Sequence, residues 1–147
     1  MSRYIAPTTA DRWFNRVVAW PTRRGVSVAG SRVLAVRGRR TGEWRETPVK
    51  LLELDGDRLL VAPRGETQWV RNLRAAGSGE LRVGRRREEF DAVEMADADK
   101  VPVLRDYLRR WAWEVGRFFD GVDADSTDEQ LAAVAPGFPV FRLRPTA

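Results

Sequence analysis

Residues 32–63 read RVLAVRGRRTGEWRETPVKLLELDGDRLLVAP, three largely apolar runs separated by two breaks that contain glycine. The runs Arg32 to Gly38, Trp44 to Leu54 and Arg58 to Pro63 have strand length, and Gly, Thr and Asp bound them, so each predicts a β-strand. Asp55-Gly56-Asp57 predicts the turn of a tight hairpin between the second and third strands.

Downstream, Trp69, Val70 and Leu73 share one face of a segment from Glu66 to Ala76 that ends at Gly77, the pattern of a helix with a glycine stop. Glu80 to Gly84 and Arg87 to Met95 predict a second hairpin around Gly84-Arg85-Arg86. Val103, Leu104, Tyr107, Leu108, Trp111, Val115, Phe118 and Phe119 recur at helical spacing and predict a long helix from Asp99 to Phe119. Ser126 and Glu129 form a capping-box pattern ahead of a short helix to Val134, and Phe138 to Leu143 predicts a last strand. Upstream, Thr9 to Trp20 predicts a short amphipathic helix stopped by Pro21. There is no internal repeat, no G-x-G-x-x-G after a strand and no phosphate-binding P-loop sequence. The expected architecture is one α+β domain over residues 1–147, a split β-barrel of six mostly antiparallel strands with flanking helices. Its parts are an N-terminal helix at 9–21, a barrel core at 32–97 and 138–144, and helices within 99–134.

Composition narrows the chemistry. The 147 residues are 43% hydrophobic and 10% aromatic, enough for a buried core. With neither Cys nor His, disulfides, zinc sites, thiol nucleophiles and Ser-His-Asp triads are excluded. The acids are scattered, so no metal site is expected. The first twenty residues hold Arg3, Asp11, Arg12 and Arg16 and no signal-like apolar run, and no stretch approaches the length of a membrane span. A cytoplasmic protein without a transmembrane segment is expected; a peripheral membrane contact, and a monomer or a homodimer, stay open.

Positive charge is concentrated. Residues 1–87 carry 19 Lys and Arg against 8 acids, whereas residues 88–147 carry 7 against 13. The densest part is Arg37 to Pro48, where Arg37, Arg39, Arg40 and Arg45 interleave with Gly38 and Gly42 in the turn between two expected strands. Glycines let backbone N–H groups turn toward a ligand, and arginines add charge-assisted bonds to phosphate or carboxylate. An exposed, charged hairpin turn accounts for the composition of this stretch equally well. The free N–H groups and positive dipole end of the helix after Pro63-Arg64-Gly65 favour the anion cradle.

Gly38-Arg39-Arg40-Thr41-Gly42, Arg45, Thr47-Pro48, Val61-Ala62 and Trp69-Val70-Arg71-Asn72-Leu73, in this order, resemble the deazaflavin (F420)-dependent nitroreductase and quinone reductase family. Its barrel is related to that of flavin-binding pyridoxine-phosphate oxidases. The resemblance covers about Val33 to Arg87, with weaker agreement in the long helix and in Pro139 to Leu143. It implies that Arg39, Arg40, Thr41, Gly42, Arg45 and Arg64 hold the phosphate and acidic tail of coenzyme F420, with Gly65 also among the cofactor-binding residues. It further implies that Thr47, Pro48, Val49, Val61, Ala62 and Pro63 flank the deazaflavin ring, with Trp69 and Asn72 close by. The implied activity is hydride transfer from the reduced cofactor to a small electron-poor acceptor such as a quinone, nitro compound or activated alkene. Pro63 stands where many members have a small polar residue, and Tyr4 and Tyr107 are the only tyrosines. Tyr107, a Ser or Thr hydroxyl and water are the candidate proton donors, water being favoured. FMN is the alternative cofactor, and a non-catalytic deazaflavin carrier is a further alternative. A nucleic-acid partner is not expected, because the arginines cluster at turns rather than along a helix or stripe.

Overall fold

The computed structural model describes residues 31–119 and 121–146; the helix expected at 9–21 lies outside them. Six strands, β1 (Ser31–Arg37), β2 (Trp44–Leu54), β3 (Asp57–Val61), β4 (Ser78–Val83), β5 (Arg86–Glu94) and β6 (Val140–Pro145), close into a barrel. Around the barrel they run in the order β1-β2-β3-β6-β5-β4, and every adjacent pair is antiparallel. The turn between β2 and β3 places Asp55 at φ 51° and Gly56 at φ 82°, the left-handed pair of a two-residue hairpin loop. Asp57, expected in the turn, is the first residue of β3.

Both faces of the sheet are covered in places, which explains the continuous apolar run in β3. Leu60 and Ala62 join Leu34, Val36, Leu81, Phe90 and Phe141 in one cluster, while Leu59 and Val61 join the cluster beneath the helices. A strand buried on both faces loses the alternation of polar and apolar residues. Gly79 marks the tightest approach, since a Cβ there would lie 2.9 Å from the Ala35 carbonyl oxygen and 3.1 Å from the Phe90 ring.

Helix α1 (Gln68–Ala76) packs Val70 and Leu73 into the first cluster. It ends at Gly77, whose φ of 71° lets its N–H reach the Leu73 carbonyl at 2.8 Å. Arg74, bonded to Glu94 of β5 and to Glu66, ties this helix to the sheet.

Helix α2 (Val101–Val115) buries Val103, Leu104, Tyr107, Leu108, Trp111 and Val115 against the second cluster. It is shorter than the expected 99–119. Trp111 breaks the helical geometry (φ −131°, ψ 20°), and after Val115 the chain tightens into a 3-10 turn, Gly116–Phe118. The Trp113 indole N–H donates to the Arg110 carbonyl at 3.2 Å beside this break. Helix α3 (Asp128–Val134) does start with a capping box, one residue later than the sequence pattern suggests, formed by Thr127 and Gln130. Ser126 is unavailable because its hydroxyl already accepts the Asp123 N–H in the preceding turn.

Candidate active site

β2 is twice as long as β3, and this mismatch opens the barrel. Residues 44–50 of β2 pair with β1, but only Leu51 to Leu54 pair with β3. Beyond Val61 the chain turns away through Pro63-Arg64-Gly65 into α1, so the second edge of the first half of β2 faces a groove. Pro48, which has no N–H to contribute, is tolerated on this stretch, where β2 has a single strand partner, β1, among the described residues. The groove encloses about 1000 Å³ between β2, the β1–β2 turn, the start of α1 and the end of α2.

The turn wall contributes Arg39, Arg40, Thr41 and Arg45; β2 contributes Thr47, Pro48 and Val49. Val61, Pro63 and Arg64, with Trp69 and Asn72 of α1, complete most of the expected set. Gly42, Ala62 and Gly65 do not line it. Gly42 shapes the turn instead, with φ 74° and its N–H on the Gly38 carbonyl at 2.9 Å. Ala62 is buried in the barrel cluster, and Gly65, at φ 81°, turns the chain into α1.

The turn and α1 do not merely share the groove; they are fastened together. Asn72 is buried, and its Oδ1 accepts the Arg39 backbone N–H at 3.1 Å and the Arg39 Nη1 at 2.8 Å. Gln68 Oε1 accepts from the same Nη1 at 2.9 Å. The backbone N–H and one guanidinium nitrogen of Arg39 are therefore used within the protein. Among the described residues, exposed Arg40 has no hydrogen bond or ion pair, and Arg45 has one ion pair, with Glu43 at 3.8 Å. Arg64 lies over the Phe118 ring at 4.7 Å.

The start of α1 carries an orphan. Thr67 is the N-cap but its hydroxyl does not cap the helix; Oγ1 is buried without a hydrogen-bond partner among the described residues, and its residue lines the groove. The first N–H groups of any helix lack intrahelical acceptors and favour an anion. An unsatisfied hydroxyl, free helix N–H groups and arginines suit a phosphate with acidic substituents, so these residues fit the cofactor that the sequence resemblance implies. Trp69 has two roles, since it lines the groove and also packs against Phe141 at 6.0 Å.

At the other end, the sequence reading missed an ion pair. Lys50 Nζ meets Glu114 Oε2 at 2.9 Å, and both side chains are almost fully buried. Lys50 also donates to Ser31 Oγ at 3.0 Å and lies 5.9 Å from the Trp113 ring. The signal was present, since Lys50 is one of two lysines in a chain with 24 arginines and stands in an apolar run. Its partner on α2 could not be read from spacing. Tyr107 reaches the same end of the groove but is 2% exposed and stacks edge-on with Trp111 at 5.3 Å. Burial, reinforced by the charge of Glu114, pushes its phenol up, which makes it a weaker acid.

From Arg45 to Lys50 the strand runs five residues, or about 17 Å at about 3.3 Å per residue. The groove thus has an arginine-rich end at the turn and a second end at α2, where the Lys50–Glu114 pair lies beside Tyr107 and Trp113.

A family model for F420H(2)-dependent quinone reductases matches residues 10–124. Among solved structures, an F420-H2 dependent reductase is 16% identical with a TM-score of 0.53, covering 78% of this chain and 94% of its own. A chain described as a domain-swapped dimer is 17% identical with a TM-score of 0.56, covering 92% and 96%. HutZ, a heme storage protein from Vibrio cholerae, is 11% identical with a TM-score of 0.56, covering 81% and 83%. At these identities the structural likeness speaks for the split-barrel fold alone. No curated protein matches the sequence. The family match spans most of the chain and includes the turn, the opened strand and the α1 start that build the groove; this chain belongs to the F420H2-dependent quinone reductase family and is an F420-dependent reductase.

Proposed function

We propose that the protein transfers a hydride from reduced coenzyme F420 to a small electron-poor acceptor, a quinone, a nitro compound or an activated alkene, in the cytoplasm. The observation that carries this reading is the two-ended groove, cationic at the Gly38 to Gly42 turn and bounded by side chains of α2 at the other end. When bound, the cofactor supplies the hydride chemistry, and the protein binds, orients and excludes water.

Arg40, Arg45 and the remaining donors of Arg39 hold the phosphate and acidic tail, with Arg64 and Thr67 beside them. Arginine forks give bidentate bonds to such oxygens. The unpaired edge of β2 from Thr47 to Val49, facing Val61 and Pro63, takes the ring. Asn72 sets the position of the turn by bonding Arg39, and Trp69 stiffens the wall. No described helix is long and apolar enough to cross a membrane. Tyr107 stays neutral, and water supplies the proton that completes reduction.

The test is direct. The purified protein should oxidise reduced F420 in the presence of menadione, should bind F420 more tightly than FMN in separate titrations, and should not oxidise NADH or NADPH. Turnover with a nicotinamide alone, or preference for FMN, would overturn the proposal.

A further inference from the structure

The Lys50–Glu114 pair lies five residues along β2 from Arg45, away from the cationic turn. A buried ion pair is a poor choice for a mere strut between β2 and α2, since apolar side chains of similar size often serve as well or better. Two observations separate this pair from a strut. An ammonium carries three donors. Ser31 Oγ at 3.0 Å takes one, and Glu114 Oε2 at 2.9 Å pairs with the charge without hydrogen-bond geometry, which leaves at least one N–H among the described residues. Lys50 and Glu114 also both line the groove, next to Trp113 and Tyr107. Lys100, the other lysine of the chain, is tied to Asp97 and the Ala135 carbonyl instead and lies outside the groove.

Hydride addition to a quinone, enone or nitro compound places negative charge on an oxygen conjugated to the reduced centre. A cation whose position is already set, on a side chain only 9% exposed, stabilises such charge with little reorganisation. Glu114 and Ser31 provide that setting for Lys50, and the edge-on aromatic wall of Tyr107 and Trp111 keeps the region apolar.

We propose that Lys50 is the acceptor-binding catalytic residue, its remaining N–H bonding the acceptor's carbonyl or nitro oxygen, with Glu114 and Ser31 as positioning residues. This rests on the reading that the groove takes an oxygen-bearing acceptor beside the deazaflavin. It selects acceptors whose oxygen is conjugated to the reducible centre.

The chain's two lysines make a test on the unaltered protein possible. Protein labelled with 13C at the lysine Cε shows two signals, assigned with Lys50→Arg. The probe is 2-hydroxy-1,4-naphthoquinone, a quinone that is an enolate at neutral pH. Its addition should move the Lys50 signal and leave Lys100 in place. The variant Lys50→Met/Glu114→Leu, which leaves no unpaired buried charge, should bind F420 as the parent does. It should bind the enolate about tenfold more weakly, and lose about a hundredfold in kcat for menadione. Lys50→Arg should restore part of the enolate affinity. A Lys50 signal unmoved by millimolar enolate, or a folded double variant with unchanged enolate affinity and kcat, would make the pair a strut. Failure of the parent to bind F420 would refute the cofactor reading, and the enolate titration would still decide the role of Lys50.

Discussion

Asn72→Ala should loosen the arginine turn without touching an arginine. Asn72 Oδ1 holds the Arg39 backbone N–H at 3.1 Å and Nη1 at 2.8 Å, and the side chain is 5% exposed. A neutral hydrogen bond contributes about 1 kcal/mol and one to a charged group about 1.5 to 3 kcal/mol. Gln68 retains the guanidinium at 2.9 Å and water reaches the exposed Arg39 side chain, so most of the second contribution is recovered. The net loss should be about 2 kcal/mol, which for a domain of this size lowers Tm by about 4 to 8 °C. With the turn unfastened, F420 affinity should fall as well, because Arg40 and Arg45 ride on it. Asn72→Asp keeps the accepting oxygen and should preserve most of the stability. Urea unfolding gives the first quantity and quenching of deazaflavin fluorescence the second. An Asn72→Ala protein within about 0.5 kcal/mol of the parent, with unchanged F420 affinity, would show that the turn is held by something other than this contact.

Arg40→Ala combined with Arg45→Ala should lower F420 affinity by well over tenfold, since each loses a bond to a charged oxygen worth about 1.5 to 3 kcal/mol. The fold should survive because both side chains are exposed, the defect should grow with the length of the glutamyl tail, and salt should shrink it; titrations across tail lengths and ionic strengths check this. Thr67→Val replaces an unsatisfied buried hydroxyl by a methyl group, so the unliganded protein should keep or gain up to about 1 kcal/mol while F420 binds more weakly. A stability loss on that change would mean the hydroxyl has a partner within the protein. Tyr107 is held neutral in the folded state, its pKa raised by burial and then by Glu114, so its share of stability is complete below the unfolded value of about 10 and is lost as pH rises above it. Tyr107→Phe should therefore flatten the decline of the urea midpoint between neutral and strongly alkaline pH, and an unchanged decline would assign it to other groups.

Local chemistry was legible from the sequence because it depends on neighbours along the chain. The Asp55-Gly56 and Gly42 turns need positive φ, the glycine stop at Gly77 needs the same, and the apolar periods of α1 and α2 follow from which residues must leave water. Composition removed whole classes of catalyst, and the ordered motifs from Gly38 to Leu73 carried the family resemblance. What the sequence left undecided depends on contacts between distant segments. The length of β2 relative to β3 appears as two apolar runs, but only pairing shows that half of β2 lacks a second neighbour among the described residues and that the barrel is split there. Arg39 reads as a ligand arm until Asn72, 33 residues away, is seen to accept from it. The break at Trp111 has no proline or glycine to announce it, and Lys50 and Glu114 stand on a strand and a helix whose juxtaposition is set by packing of the helical core. Propensity and period act over a few residues, whereas the groove is the place where three separately encoded elements fail to close on one another, and that is a property of the assembled fold alone.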